Sequence, residues 1–167
     1  MTALATARYA KFRRSMGVPV QASLGRPKFP IDYELHEQVR ELMPRGLFGK
    51  GLSDDEFTRL YRERLDRLDL DALRAQFDAI SKRHDNARVV LLCFEDVLAG
   101  QLCHRRVWAD WFHERTGQRV PEVGPTGGEP AKIDDTAHLA GSGFAARPTQ
   151  LRLLDEDALA IRDREGL

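Results

Sequence analysis

The residues of this chain best equipped for chemistry crowd into one stretch, VVLLCFEDVLAGQLCHRR, from Val89 to Arg106. Cys93 and Glu95 close its apolar run, and Cys103, His104, Arg105 and Arg106 follow a short loop. A thiolate is a nucleophile, an imidazole exchanges a proton near neutral pH, and a carboxylate can orient it or act as a base. Glu95, Cys103 and His104 are therefore the candidate catalytic residues, a set suited to phosphoryl, glycosyl or acyl transfer. If Cys103–Arg106 opens a helix, its free N–H groups and positive dipole end favour an anion and lower the pKa of Cys103. Arg105 and Arg106 would add charge to that anion site. Arginines in a first helical turn run against the dipole preference, a local cost that favours a functional reason for their presence.

Plainer readings compete with this one. Cys93, inside an apolar strand, reads as a small core residue before it reads as a nucleophile, and His104 can simply satisfy a helix end. A zinc site from Cys93, Cys103 and His104 is the weaker alternative, because the spacing matches no finger or ribbon and adjacent residues seldom ligate one ion. No cofactor is expected: there is no phosphate-binding glycine loop, dinucleotide fingerprint, nucleophile elbow or C-x-x-C pair. A tyrosine-phosphatase loop is excluded, since Ala109 stands where that loop requires arginine.

The elements that must hold this stretch follow from periodicity. Ala87–Glu95 predicts a strand whose continuous apolar centre implies cover on both faces, as in a parallel or mixed sheet between helices. His104–Arg115, with Val107, Trp108, Trp111 and Phe112 inward, predicts the following helix, ended by Gly117. Upstream, Ser53 with Glu56 three residues on forms a capping-box signature for a helix carrying Phe57, Leu60, Tyr61 and Leu65. Asp69–Arg83 predicts another, with Leu70, Leu73, Phe77 and Ile80 on its stripe. A short helix is expected over Tyr33–Leu42, stopped by Pro44 and Gly46. Residues 1–32 read as irregular apart from a strand at Val18–Leu24, and Arg119–Val123 is a short strand candidate. Together these predict a small Rossmann-like α/β domain, three-layered, with a mostly parallel or mixed sheet and flanking helices. That domain spans residues 1–123. From Gly124 the sequence turns glycine- and proline-rich, so 124–167 is expected to be an extended segment packing on the same domain, with a helix over Thr149–Arg164.

Composition limits the function classes. At 167 residues one domain can bury a sufficient core without disulfides or metal staples. Twenty-six basic and 26 acidic residues cancel, which argues against a strongly basic nucleic-acid module but leaves room for a local patch. The apolar run at Val89–Cys93 is far short of the roughly 20 residues of a membrane span, so no membrane association is expected. Charges near the N-terminus interrupt any secretory core, and two cysteines are too few for a secreted scaffold; a cytoplasmic location with reduced thiols is expected. Arg8, Tyr9, Lys11, Arg13 and Arg14 could supply phosphate contacts and one stacking ring, although a solvated basic end is the plainer reading.

LLCFE, a short loop, then CHRR before an aromatic-rich helix resembles the domain-of-unknown-function family numbered 488. Arg8-Tyr9 with Phe12, GVPVQASLGRPKF (17–29) and ELMP (41–44) look like its variant in actinobacteria and their phages. The likeness covers about residues 6–123. It implies a compact α/β fold with Cys93, Glu95, Cys103, His104 and Arg105 as signature positions, and adds weight to Arg8 and Tyr9. Many members carry Asp-x-Arg at the end of the early strand; here Gln21-Ala22-Ser23 stands instead, so that pair is missing or replaced by Ser23 and Arg26. Two functions are therefore expected. The first is an enzyme or enzyme-derived domain acting on a nucleotide or nucleic-acid component, its anion held by Arg8, Tyr9, Arg26, Arg105 and Arg106. The second is a non-catalytic protein- or nucleic-acid-binding accessory module whose partner docks on the tail.

Overall fold

The central strand is as apolar as any in the chain, and the fold is arranged to cover it twice. In this computed structural model, which describes residues 1–85 and 87–124, β1 (Leu4–Arg8), β2 (Val18–Gln21), β3 (Glu37–Gln38) and β4 (Val89–Cys93) form one sheet, all pairs parallel, in the order β1-β4-β2-β3. Every residue of β4 is buried. Period-two alternation splits its side chains. Val89 and Leu91 join the larger core with Leu4, Val18 and Val20, whereas Val90 and Leu92 face Ala5, Ala7, Tyr9 and Phe12.

Three helices, α1 (Asp54–Leu65), α2 (Leu70–Arg83) and α3 (His104–Thr116), fill the larger core with Tyr61, Leu65, Phe77, Ile80, Trp108 and Phe112. The capping box at Ser53 and Glu56 forms in full. Asp69 caps α2 through the backbone N–H groups of Asp71 and Ala72. Gly117 ends α3 at φ 74°, the left-handed conformation that glycine adopts without a Cβ penalty. The architecture is thus the expected small Rossmann-like α/β domain. The other face differs from the picture of helices on both sides: 3-10 turns at Tyr9–Lys11 and Arg14–Met16, together with the extended run carrying Tyr33 and Leu35, cover it.

Two expectations are corrected. Residues 1–32 are not irregular before Val18, because Leu4–Arg8 is a strand pairing with β4 from Leu4↔Val89 to Arg8↔Cys93. Tyr33–Leu42 is not a helix: it holds β3 and a 3-10 turn at Arg40–Leu42. Leu35 enters one core while Val39 and Leu42 enter the other, so the spacing that suggested one helical face serves opposite faces of a sheet. The Arg119–Val123 candidate reduces to a parallel bridge between Thr6 and Glu122. The expected extended segment and Thr149–Arg164 helix lie outside the described residues, Gly124 apart.

Candidate functional site

Because every strand is parallel, all carboxyl ends meet on one edge of the sheet, the edge where open α/β folds bind ligands. Arg8 ends β1, Gln21 ends β2 and Cys93 ends β4, whose chain continues to Glu95. Continuing the alternation of β4, Cys93 points to the helical side, where Cys103 stands at the N-cap of α3 with no side-chain cap bond of its own.

Glu95 Oε2 is the centre of the cluster. In their protonated forms Cys93 Sγ–H donates to it at 2.9 Å and Cys103 Sγ–H at 3.0 Å. His104 Nδ1 lies 3.8 Å from each sulfur. Its Nε2 sits 2.9 Å from the carbonyl of Ala22, just past β2. A carbonyl only accepts, so in the neutral ring the proton sits on Nε2 and the Nδ1 lone pair faces the sulfurs. The edge of the His104 ring meets the Tyr61 ring at a centroid distance of 5.7 Å. One ligand-type atom from each of Cys93, Glu95, Cys103 and His104 lies within 4.8 Å of all the others.

Arg105 locks this arrangement. Its guanidinium donates to Glu122 (Nε at 3.2 Å, Nη2 at 2.8 Å), to the Glu95 carbonyl at 2.8 Å and to Cys103 Sγ at 3.2 Å. Glu122 also accepts from the Thr6 hydroxyl at 2.6 Å, on the Thr6–Glu122 bridge. A buried arginine is tolerable only with such complete pairing. Burial depresses the Arg105 pKa, but the Glu122 bond outweighs it and holds the group firmly charged.

The electrostatics of the thiols are opposed. Hydrogen bonding with Cys103 and then burial raise Cys93 well above the usual thiol range. Burial also pushes Cys103 upward, yet hydrogen bonding with Cys93 and with the Nδ1–H of a charged His104 ring outweighs it and brings it down to about 6. Burial raises Glu95 as well, but the two thiol bonds win and its pKa is lowered. The pair thus concentrates its first negative charge on Cys103, beside the Arg105 guanidinium and the start of α3.

Cys93, Glu95, Cys103 and His104 therefore converge, and Cys93 is a member of the cluster as well as of the strand core. The anion-binding expectation for the arginines changes. Arg105 is 1% exposed with its donors committed, so it positions the cluster and offers no free donor to an anion. Arg106 points away, to Asp110 and the Val120 carbonyl. Arg26 binds the Leu35 carbonyl from an exposed loop. Tyr9 is 1% exposed, so it is no stacking ring; its hydroxyl shares a 2.8 Å hydrogen bond with Ser23 and its ring packs on Phe94 at 4.9 Å. Burial raises its pKa above the usual phenol range.

Arg8 is different. It donates to the Phe94 carbonyl and to Asp96, is 37% exposed, and with Lys11 lines a cavity of about 320 Å³. The same wall carries Asp96, the residue after Glu95, and Glu122, the partner of Arg105. Glu122 and the Ala22 carbonyl escaped sequence reasoning. Only the short-strand signal at Arg119–Val123 pointed near Glu122, and a backbone carbonyl leaves no mark in residue type. No helix among the described residues is long and apolar enough to cross a membrane. No protein-family model, curated protein or solved structure matches this chain.

Proposed function

We propose that the chain is an enzyme, or derives from one, whose reaction centre is the cluster of Glu95, Cys103, His104 and Cys93, and that it acts on a nucleotide or nucleic-acid component. The observation that carries this reading is the convergence of two thiols and a tautomer-fixed imidazole on one carboxylate at the carboxyl edge of a parallel sheet. Structural cysteines need no such partners. The thiols and imidazole are almost wholly buried, whereas the Glu95 side chain keeps 16% exposure. Glu95 is thus the group that meets substrate, taking the proton of an attacking water as a general base. Phosphate is held by Arg8 and Lys11 on the cavity wall, in place of Arg105. The likeness of LLCFE and CHRR to the domain-of-unknown-function family 488 supports the same centre, and we propose the chain as a divergent member.

Thermal-shift titration with nucleotides, nicotinamide dinucleotides and short oligonucleotides tests this reading. Phosphate-bearing ligands should raise Tm in the wild type by mass action, and Arg8→Ala with Lys11→Ala should lose that shift. If none of these ligands stabilises the protein, or the double variant responds unchanged, the reading is wrong.

A further inference from the structure

From the same four side chains we infer that Cys93 Sγ, Cys103 Sγ, His104 Nδ1 and Glu95 Oε2 form a binding site for a zinc-class divalent metal ion. The inference rests on the proposed function only in sharing its location; the metal site stands on geometry alone. It also departs from the sequence expectation, which weighed Cys103 and His104 as neighbours that seldom share an ion and expected no metal. The helix start removes that objection. Cys103 is the extended N-cap residue at φ −140° and His104 is the first helical residue, so the chain turns sharply between them and both side chains face Cys93.

The spacings from the imidazole to the two sulfurs are those of a tetrahedral shell. Ligands at about 2.3 Å (sulfur) and 2.0–2.1 Å (nitrogen) from one ion stand about 3.6 Å apart at tetrahedral angles. His104 Nδ1 is 3.8 Å from both sulfurs. The two sulfur–carboxylate spacings, 2.9 and 3.0 Å, are shorter because each is bridged by a proton. An ion replaces whatever thiol proton remains with metal–sulfur bonds, releases it to solvent and lets the carboxylate move out by about half an ångström. The donor set, two soft thiolates with one imidazole and one carboxylate, suits zinc over magnesium or calcium.

The surroundings are also those of a metal site. A ligating histidine typically donates its other ring N–H to a carbonyl or carboxylate; His104 Nε2 has the Ala22 carbonyl at 2.9 Å. Arg105 donates to Cys103 Sγ and to the Glu95 carbonyl, and is itself fixed by Glu122. Three of the four ligands are at most 4% exposed, so Glu95 is the one an incoming water could displace. A bound ion would then act as a Lewis acid at a position shared with solvent.

The test uses the full chain, stripped of metal under reducing conditions and reloaded. Zinc should bind at one equivalent per chain and displace the remaining thiol proton into solvent. Cobalt should give thiolate-to-metal charge transfer and the intense visible bands of a tetrahedral site. Glu95→Gln, the most exposed of the four positions, should remain folded and weaken zinc binding by at least the roughly 10–100-fold of a lost outer-shell partner. Cys103→Ser should weaken the charge-transfer band by about half or more or, if it unfolds, zinc protection of both wild-type thiols from alkylation supplies the same readout. No binding by the reloaded wild type, binding without proton release, or an octahedral cobalt spectrum would overturn the inference. Nucleotide binding with no metal uptake would sink this site and spare the proposed function. Metal uptake without any nucleotide response would do the reverse.

Discussion

Two carboxylates in this protein, Glu95 and Glu37, are each held by two side chains and both titrate below the usual range, yet they sit in different worlds. Glu37 is on the edge strand β3 and is bonded by Arg83 at 2.8 Å and His84 at 3.0 Å, with those side chains 55% and 40% exposed. Its pKa is lowered chiefly by the Arg83 hydrogen bond. Glu95 lies past the central strand β4 and accepts from thiols that solvent barely reaches. At the edge, water screens the charges and the pairing tidies a surface. At the carboxyl end, water is excluded, every polar atom must find protein partners, and a second layer of Arg105, Glu122 and Thr6 is needed to supply them. A carboxylate becomes part of a buried candidate site in one place and of a solvated cluster in the other, according to its burial and its partners.

Breaking the buried layer should have the largest effect. Arg105→Ala leaves the Glu122 carboxylate, 10% exposed on the cavity wall, with only the Thr6 hydroxyl and should cost about 3 kcal/mol, read as a lower urea midpoint. Arg105→Met with Glu122→Leu should recover most of that loss, since a well-packed apolar pair is often neutral relative to a buried ion pair. If the single variant loses less than about 1 kcal/mol, comparable to a surface pair, the contrast between the two regions fails.

Gly17 stands at the amino end of β2, where the chain enters that strand. Its φ is 135°, and an added Cβ would lie 2.2 Å from the Arg88 carbonyl oxygen, which accepts from Val18 N–H at 2.7 Å. Gly17→Ala should therefore destabilise by at least about 1–3 kcal/mol. A variant as stable as the wild type would mean that β2 does not need this approach.

The smallest effect belongs to the edge. The Glu37 pKa is lower in the folded chain than in the unfolded one, so between the two values the unfolded chain binds more protons and stability rises with pH. The contribution is present above the unfolded carboxylate value, about 4.3, and is lost as pH falls through the folded value. Glu37→Gln should flatten this part of the stability–pH curve and change the midpoint at neutral pH by less than about 1 kcal/mol. A curve unchanged in shape would remove Glu37 from the balance.

Local signals made much of this legible from sequence. The Ser53–Glu56 capping box, the stripe of Asp69–Arg83, the Gly117 stop and the apolar run of β4 act within a few residues, and each stands where its pattern placed it. The clustering of the candidate residues was legible for the same reason, since strand end and helix start are neighbours in sequence. Three things were not. LATAR is short and alanine-rich, and its identity as a strand depends on β4, which arrives 85 residues later in the register Leu4↔Val89. Leu35 and Val39 share helical spacing but enter opposite cores, a choice made by pairing with β2. The role of Arg105 depended on Glu122 and on depth, and neither is written in the CHRR motif: the arginine with the best sequence claim to bind an anion is the one most fully committed within the protein.

The most direct test of the carboxyl end as a functional centre is X-ray absorption at the zinc edge of the reloaded chain. Two sulfur neighbours at about 2.3 Å and two nitrogen or oxygen neighbours at about 2.0–2.2 Å are predicted. A shell of nitrogen and oxygen alone would place the ion elsewhere and contradict the assignment of Cys93 and Cys103 to a common site.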